Sequence, residues 1–315
     1  MRYIETLREG ETIREVYLCK QAQVLKSKVG KNYMSLTLQD KTGRVDGKIW
    51  DLGPGVGHFE PLDYVKVDAQ VTVFNSANQL NIRSIRRAEP GEYDVADYMP
   101  CTNKDISEMY AELLKFIESV KEPHLKQLLL SFFGQEAFAK QFRTHSAART
   151  VHHGFVGGLL EHTLGVTRIC NYLARNYPVL NRDLLLTAAM FHDVGKLREI
   201  SDFPENDYTD DGNLLGHIFL GAEMVGAHIR EIPGFPQKLA SELRHCILAH
   251  HRKPEFGSPK VPALAEAMAL AMADDLDAKM EQFTELFRTP EYDGGWLGFQ
   301  RTLESNVRQS TRPEK

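Results

Sequence analysis

The sequence predicts two unlike halves, a small closed β-barrel followed by an all-α bundle. Three observations predict it. Apolar and polar residues alternate through the first 90 residues, apolar residues recur at helical spacing from Asp105 onward, and His58 alone among twelve histidines precedes residue 120. A length of 315 residues suits two domains, since one domain takes roughly 100–200 residues. With 42% hydrophobic and 26% charged residues, the composition is that of a globular protein and excludes wholesale disorder or a fibrous repeat.

The strands come first. Val16, Leu18, Ala22 and Val24 alternate with polar residues, Met34, Leu36 and Leu38 do so again, and Val65, Val67, Ala69, Val71 and Val73 give the cleanest period-2 run. Turn residues separate the runs at Lys28 to Asn32, Asp40 to Gly43, Gly53 to Gly57 and Asn75 to Asn78, before Leu80-Asn81-Ile82. Five strands with a longer irregular insert between the third and fourth suit a barrel of the OB type, whose face over strands 2 and 3 often holds nucleic acid. After Ala88-Glu89-Pro90-Gly91 the period changes. Ile106, Met109, Tyr110, Leu113, Leu114, Phe116 and Ile117 form a helical stripe with a polar start at Thr102-Asn103. Further helices are expected around 123–132, 135–142, 158–176, 182–194, 213–231, 236–250 and 261–287. The expected division is therefore a barrel over 1–90, a linker over 91–104, a helical domain over 105–300 and a polar tail over 301–315.

Charge is unevenly spread. Residues 1–90 carry 14 Lys and Arg against 11 Asp and Glu, whereas residues 91–315 carry 24 against 32, within a net charge of −5. The mildly basic front is compatible with a polyanionic partner. No apolar run approaches the roughly 18–20 residues of a membrane span, and the N-terminus has no export signal, so no membrane partner and a cytoplasmic address are expected. Cys19, Cys101, Cys170 and Cys246 form no CxxC pair, which argues against a disulfide framework or a thiolate zinc site.

The chemistry-bearing residues of the helical half are His162, His192-Asp193, His217, His250-His251 and Asp274-Asp275, each group on a different predicted helix. Imidazole and carboxylate donors without thiolate suit divalent Mn, Fe, Co or Mg. Four histidines with two aspartates exceed the needs of one ion; with Asp193 bridging they can hold two, the arrangement that clamps the attacking and leaving oxygens of a phosphoryl displacement. Lys196, one turn after Asp193, is placed to meet a substrate phosphate as a point charge. His124 and His228 lack carboxylate companions and read as structural; His145 stays open, and His152 and His153 read as structural or substrate-contacting.

The set His162, His192-Asp193, His217, His250 and Asp274 resembles the HD superfamily of metal-dependent phosphohydrolases in its two-metal version. The segments His152 to Thr163, Phe191 to Lys196, Leu214 to Ile218, Ile247 to His251, Phe256 to Lys260 and Ala273 to Met280 are similar to the bacterial YhaM-type exoribonucleases, over roughly residues 10 to 287. The resemblance implies an OB-fold joined to an HD domain. It also implies release of nucleoside 5'-monophosphates from the 3' end of single-stranded RNA, with manganese as the usual ion. By position it implies His162, His192, Asp193 and Asp274 as the basic ligand set and His217 and His250 as the additional ligands, with His251 close enough to substitute. Lys196 and Lys260 would stand near phosphates. Arg252-Lys253 departs from the pattern, which has a small residue such as Gly after the histidine pair. The Gly-Tyr-Pro segment of cyclic-di-nucleotide-cleaving relatives is absent from the sequence.

For the barrel, period-2 counting puts Tyr33, Ser35 and Thr37 opposite Met34, Leu36 and Leu38, Lys48 and Trp50 on one face of the next strand, and Phe74 opposite Val71 and Val73. Tyr33, Trp50 and Phe74 are expected to stack bases, and Lys26, Lys28, Lys31 and Lys48 to contact the backbone of single-stranded RNA, with single-stranded DNA a second candidate. The competing expectation is that Trp50 and Phe74 cap the barrel core. Two other functions compete with exoribonuclease: hydrolysis of small nucleotides or cyclic phosphodiesters, and non-catalytic RNA binding around a vestigial site. A di-iron oxygenase is a distant third. Self-association is left open.

Overall fold

The computed structural model describes residues 1–27, 30–75, 77–94, 97–148, 154–287 and 295–311. Lys28, His152 and His153 lie outside the described residues. The chain divides into two compact units, Met1–Cys101 with Asp202–Asn206, and Thr102–Ser201 with Asp207–Lys315.

The first unit is a closed five-stranded barrel. Its strands are β1 (Thr12–Lys26), β2 (Asn32–Asp40), β3 (Gly43–Ile49), β4 (Tyr64–Phe74) and β5 (Ala77–Arg87). They close in the order β1-β2-β3-β5-β4, the OB arrangement. Closure depends on the length of β1. Its first half, Thr12 to Leu18, pairs with β4, and its second half, Leu18 to Lys26, pairs with β2, with the register shifting between Cys19 and Gln21. Such an irregularity bends a strand and raises its local twist, so one strand serves both sides of the barrel. The period-2 run on β4 is buried at Val65, Val67, Ala69 and Val71 but ends in an exposed Val73 beside an exposed Phe74.

The face of β1 turned inward differs from expectation. Ile13, Tyr17 and Cys19 fill the barrel core, while Val16 and Leu18 belong to a separate cluster with Ala88 and Tyr98 on the opposite face. Both faces are buried because the segment after β5 folds back over β1. Tyr93 stacks on Tyr64 with ring centroids 4.0 Å apart, Tyr98 meets Tyr64 edge-on, and Gln39 donates to the Tyr98 carbonyl. Asp97 accepts from the Tyr3 hydroxyl and from Lys41. The described residues of 91–101, expected as linker, are thus part of the barrel unit.

The second unit is helical: α1 (Ile106–Glu118), α2 (Pro123–Phe133), α3 (Glu136–Thr144), α4 (Gly158–Asn176), α5 (Arg182–Phe191), α6 (Lys196–Glu199), α7 (Asp210–Glu231), α8 (Gln237–Leu248) and α9 (Ala265–Leu286). Several helix starts are capped by side chains: Asp105 accepts from Ser107 and Glu108, Asn181 from Leu184, and Thr209 from Gly212. The α1 cap is therefore Asp105; Thr102, expected near the start, hydrogen-bonds Glu161 instead. One continuous core joins α1, α2, α4, α5, α8 and α9, with α5 buried on nearly every side (Leu184 to Phe191). A helix apolar all round must lie at the centre of its bundle, and the end of this one delivers His192 and Asp193. At the end of the expected helical domain and in the expected tail, β6 (Trp296–Gln300) and β7 (Ser305–Arg308) pair as a hairpin that buries Leu297 and Val307. No described helix is long and apolar enough to cross a membrane.

Candidate metal centre and barrel surface

Five elements of the helical unit converge. His162 comes from the first turns of α4, His192 and Asp193 from the turn that ends α5, His217 from α7, His250 and His251 from the turn after α8, and Asp274 from the middle of α9. Two local features make the approach feasible. Gly195 follows the His-Asp pair where an added Cβ would lie 2.0 Å from the His217 carbonyl oxygen, so only glycine lets the α5 turn seat against α7. Helix α7 itself is interrupted at Gly216, whose φ of 74° is open to glycine at little cost, and the break sets the direction of His217.

Every imidazole in the cluster has its Nδ1 engaged. His192 Nδ1 donates to the Ala189 carbonyl at 2.7 Å, His250 Nδ1 to the Ile247 carbonyl at 2.7 Å and His251 Nδ1 to the Phe256 carbonyl at 2.8 Å. His162 Nδ1 lies 2.8 Å from Asp277 Oδ2, and His217 Nδ1 lies 2.9 Å from Glu199 Oε1. A carbonyl or carboxylate oxygen can only accept, so each Nδ1 carries a proton, and in the neutral ring that leaves Nε2 as the lone-pair site. Those Nε2 atoms meet at the acids. His162 Nε2 is 3.1 Å from Asp274 Oδ1 and 3.2 Å from His192 Nε2, and His192 Nε2 is 3.4 Å from Asp193 Oδ2. On the other side His217 Nε2 and His250 Nε2 stand 3.5 and 3.7 Å from Asp193 Oδ1. Asp193 therefore lies between two donor groups, His162 with His192 and His217 with His250, and His251 joins the second within 4.8 Å.

The donor set fits divalent cations. Among the described residues, Asp193 Oδ1, His217 Nε2 and His250 Nε2 are buried with no hydrogen-bond partner, an arrangement whose desolvation cost a bound cation removes. Burial works against ionising Asp193, but the Lys196 ammonium together with His192, His217 and His162 holds its carboxyl well below the usual range. Burial likewise opposes ionisation of Asp274, and His162 overcomes it, keeping that carboxyl low. Burial, with His251 alongside, pushes His250 far down, and burial pushes His192 down, so both present neutral imidazoles. His162 goes the other way, up to about 10, because Asp274 and Asp277 outweigh its burial. The acids thus favour positive charge at the centre of the cluster.

The cluster opens on a cavity of about 510 Å³ lined by residues that include Lys196, His251, Arg252, Phe256 and Asp275. Lys196, expected to face substrate, has its Nζ 2.7 Å from Asp193 Oδ2, so its first partner is the acid. Lys260 sits exposed on the loop after the buried Ser258. Sequence reasoning missed Asp277, Glu199 and Phe256. Asp277 had a signal, since it follows Asp274 by three and so shares its helix face; in the structure Gly165 makes room for it, since a Cβ there would lie 2.1 Å from Asp277 Oδ1. Phe256 had only its place in the Phe256 to Lys260 segment, and Glu199 had none. The histidines read as structural stay apart: His124 pairs with Glu122, and His228 stacks on Phe132 with centroids 3.9 Å apart. His145 is buried and accepts from the Ser146 amide.

On the barrel, Tyr33 stacks on Trp50 with centroids 4.8 Å apart, and Lys48 Nζ bonds Ser35 Oγ at 2.6 Å beside the Tyr33 ring. The pairing of Ser35 with Lys48 and of Met34 with Ile49 explains this cross-strand cluster over β2 and β3. Trp50 is 49% and Phe74 62% exposed, so neither caps the core. Phe74 lies at the β4–β5 turn, apart from the Tyr33–Trp50 stack, and Lys31 is exposed at the start of β2.

Comparison with known proteins places most of the chain among relatives and the helical unit in a family. The HD domain family matches residues 159–279. The 3'-5' exoribonuclease YhaM of Bacillus velezensis is 33% identical over 86% of this chain and 86% of its own length. That of a Geobacillus species is 34% identical over 86% of this chain and 83% of its own, and that of Bacillus subtilis 32% identical over 86% of each. Among solved structures, the second OB-fold domain of replication protein A from Methanococcus maripaludis aligns with 29% of this chain at 20% identity and a TM-score of 0.24; the strand order, not that score, identifies the barrel. Most of the chain is thus shared with these relatives at about one identical residue in three, and the chain belongs to the YhaM family of 3'-5' exoribonucleases.

Proposed function

We propose that this chain is a metal-dependent 3'-5' exoribonuclease that releases nucleoside 5'-monophosphates from single-stranded RNA, with the barrel holding the strand. The relatives' activity supports the reaction class. The observation that carries the chemistry is the convergence of imidazole Nε2 atoms on Asp193 and Asp274, every one of them with its Nδ1 already engaged.

In this reading His162, His192, Asp193, His217, His250 and Asp274 hold two divalent ions, with Mn preferred and His251 as a further donor. When bound, such ions lower the pKa of water and offset the charge that develops on a phosphodiester. The protein's own residues do the rest. Asp277 and Glu199 fix the tautomer and direction of His162 and His217. Lys196 keeps Asp193 ionised and sets a cation at the cavity wall, within reach of a phosphate. Phe256, exposed at the cavity lining, offers a ring to a terminal base. Tyr33, Trp50 and Phe74 supply sequence-tolerant stacking on the barrel, where each stacked base is worth about 1–3 kcal/mol. Lys31 and Lys48, with Lys28 outside the described residues, track the phosphates, and Lys260 serves the strand on its approach to the cavity. Single-stranded DNA would fit the same contacts.

The test is to incubate end-labelled RNA and DNA oligonucleotides with the protein, with and without Mn, and to size the products. Stepwise shortening from the 3' end with mononucleotide release, lost in Asp193→Ala while helicity is retained, is expected. Turnover retained in that variant would rule the assignment out. Release from mononucleotides alone would favour the small-nucleotide hydrolase.

A further inference from the structure

Resting on the exoribonuclease reading, we propose that Arg252 is a substrate-binding residue that grips a backbone phosphate next to the scissile one. It occupies a strained position. Its φ is +69°, in the left-handed region where an arginine is uncommon and where glycine would sit without cost. A side chain kept at such a place suggests a use for the side chain itself.

The loop carrying it is otherwise well held. Arg252 N donates to the Ala249 carbonyl at 2.9 Å, His251 N donates to Ser258 Oγ at 3.0 Å, and Ser258 is fully buried. The loop's anchoring therefore falls to backbone bonds and to Ser258, which leaves the guanidinium for other work. That group crosses to α9, where it lies 3.2 Å from Asp275 Oδ2 and 3.2 Å from Met272 Sδ, and it lines the cavity while remaining 31% exposed. Neither contact locks it. A thioether is a weak acceptor, and Asp275 Oδ2 also has Lys279 Nζ at 2.9 Å, so the carboxylate stays paired when Arg252 turns toward a ligand. Among the described residues the other Lys or Arg of the cavity lining is Lys196, whose first partner is Asp193. Among the described lining residues Arg252 is thus the cation with donors to spare, and its planar fork matches two oxygens of one phosphate.

The experiment compares wild type, Arg252→Gly, Arg252→Lys and Asp275→Asn on a ten-residue oligoadenylate and on bis(p-nitrophenyl) phosphate, which has no second phosphate. Glycine suits the backbone, so Arg252→Gly should fold and melt no lower than wild type. Its KM for the oligonucleotide should rise about tenfold with kcat within twofold. The salt dependence of binding should become shallower by about 0.7 in log-log slope, the value for one phosphate contact on a single strand. Turnover of the small diester should be unchanged. Arg252→Lys, equally strained but charged, should recover the salt slope and only part of the KM. Asp275→Asn releases the guanidinium and should bind the oligonucleotide at least as well as wild type. An unchanged KM in Arg252→Gly would overturn the proposal while leaving the exoribonuclease reading intact. So would an Asp275→Asn variant that behaves like Arg252→Gly, since that is the signature of a purely structural clamp. Wild-type protein that does not shorten RNA would sink the exoribonuclease reading and this proposal with it.

Discussion

Removing the Asp277 carboxylate should weaken divalent-metal binding through an imidazole it merely aims. His162 Nδ1 and Asp277 Oδ2 are 2.8 Å apart, and the same histidine turns its Nε2 to Asp274 at 3.1 Å. Loss of a partner that orients a ligand histidine typically costs 10- to 100-fold in metal affinity, or about 1.4–2.8 kcal/mol. Asp277→Ala should therefore raise the Mn dissociation constant by about that factor. Gly165→Ala should do the same by a different route. Its new Cβ would fall 2.1 Å from Asp277 Oδ1 and 2.9 Å from Cγ, which forces the carboxylate away from His162. Alanine is otherwise the better residue inside a helix by about 1 kcal/mol, so α4 itself should not suffer. Because both changes act on one bond, the double variant should be no weaker than Asp277→Ala, where two independent effects would multiply. Calorimetric titration of chelator-stripped protein with Mn measures all four species. An Asp277→Ala protein that binds Mn within twofold of wild type, or a double variant whose losses multiply, would refute the reasoning.

Four further outcomes are expected. Glu199→Ala removes the acceptor of both the His217 amide and its Nδ1, at 2.9 Å each, and should cost about tenfold or more in Mn affinity by the same titration. Mn at a hundred times its dissociation constant should stabilise the helical unit by about 2.7 kcal/mol, a rise of about 5–10 °C in its melting midpoint that excess EDTA abolishes; a midpoint indifferent to Mn would contradict the site. Trp50→Ala, at an exposed residue, should leave the melting midpoint almost unmoved yet cost about 1–3 kcal/mol in oligonucleotide affinity measured by fluorescence anisotropy. Burial pushes the Cys19 thiol up to about 11 and Cys246 up to about 12, and raises Cys170, while Cys101 is exposed. Native protein should therefore titrate one thiol with Ellman's reagent and denatured protein four.

The parts of the fold written in alternation were legible. Leu36 and Leu38, and Val65 to Val71, announce their buried face by period alone, and the helical stripes did so after Asp105. The inward face of β1 was not legible, because Val16-Tyr17-Leu18-Cys19 is apolar on both sides and nothing local says that Tyr93 and Tyr98 will cover one of them. In the site, the histidines and aspartates stood out because such residues are costly to bury without partners. Their orienting partners did not, since Glu199 reaches His217 across two elements and a main-chain carbonyl leaves no trace in the residue alphabet. The backbone φ of Arg252 belongs to the same class of fact, visible only once the chain turns.

The imidazoles of this centre are aimed by two kinds of handle. His192 and His250 are held by carbonyls three residues earlier, at the closing turns of α5 and α8, where such oxygens lack helical partners in any case. No side-chain substitution can delete those acceptors, so this half of the centre is robust against mutation as long as the helix ends persist. His162 and His217 depend on Asp277 and Glu199, each one codon away from losing its carboxylate. Drift among relatives in ion preference and affinity is therefore expected to accumulate at the carboxylate-held pair, while the carbonyl-held pair stays fixed.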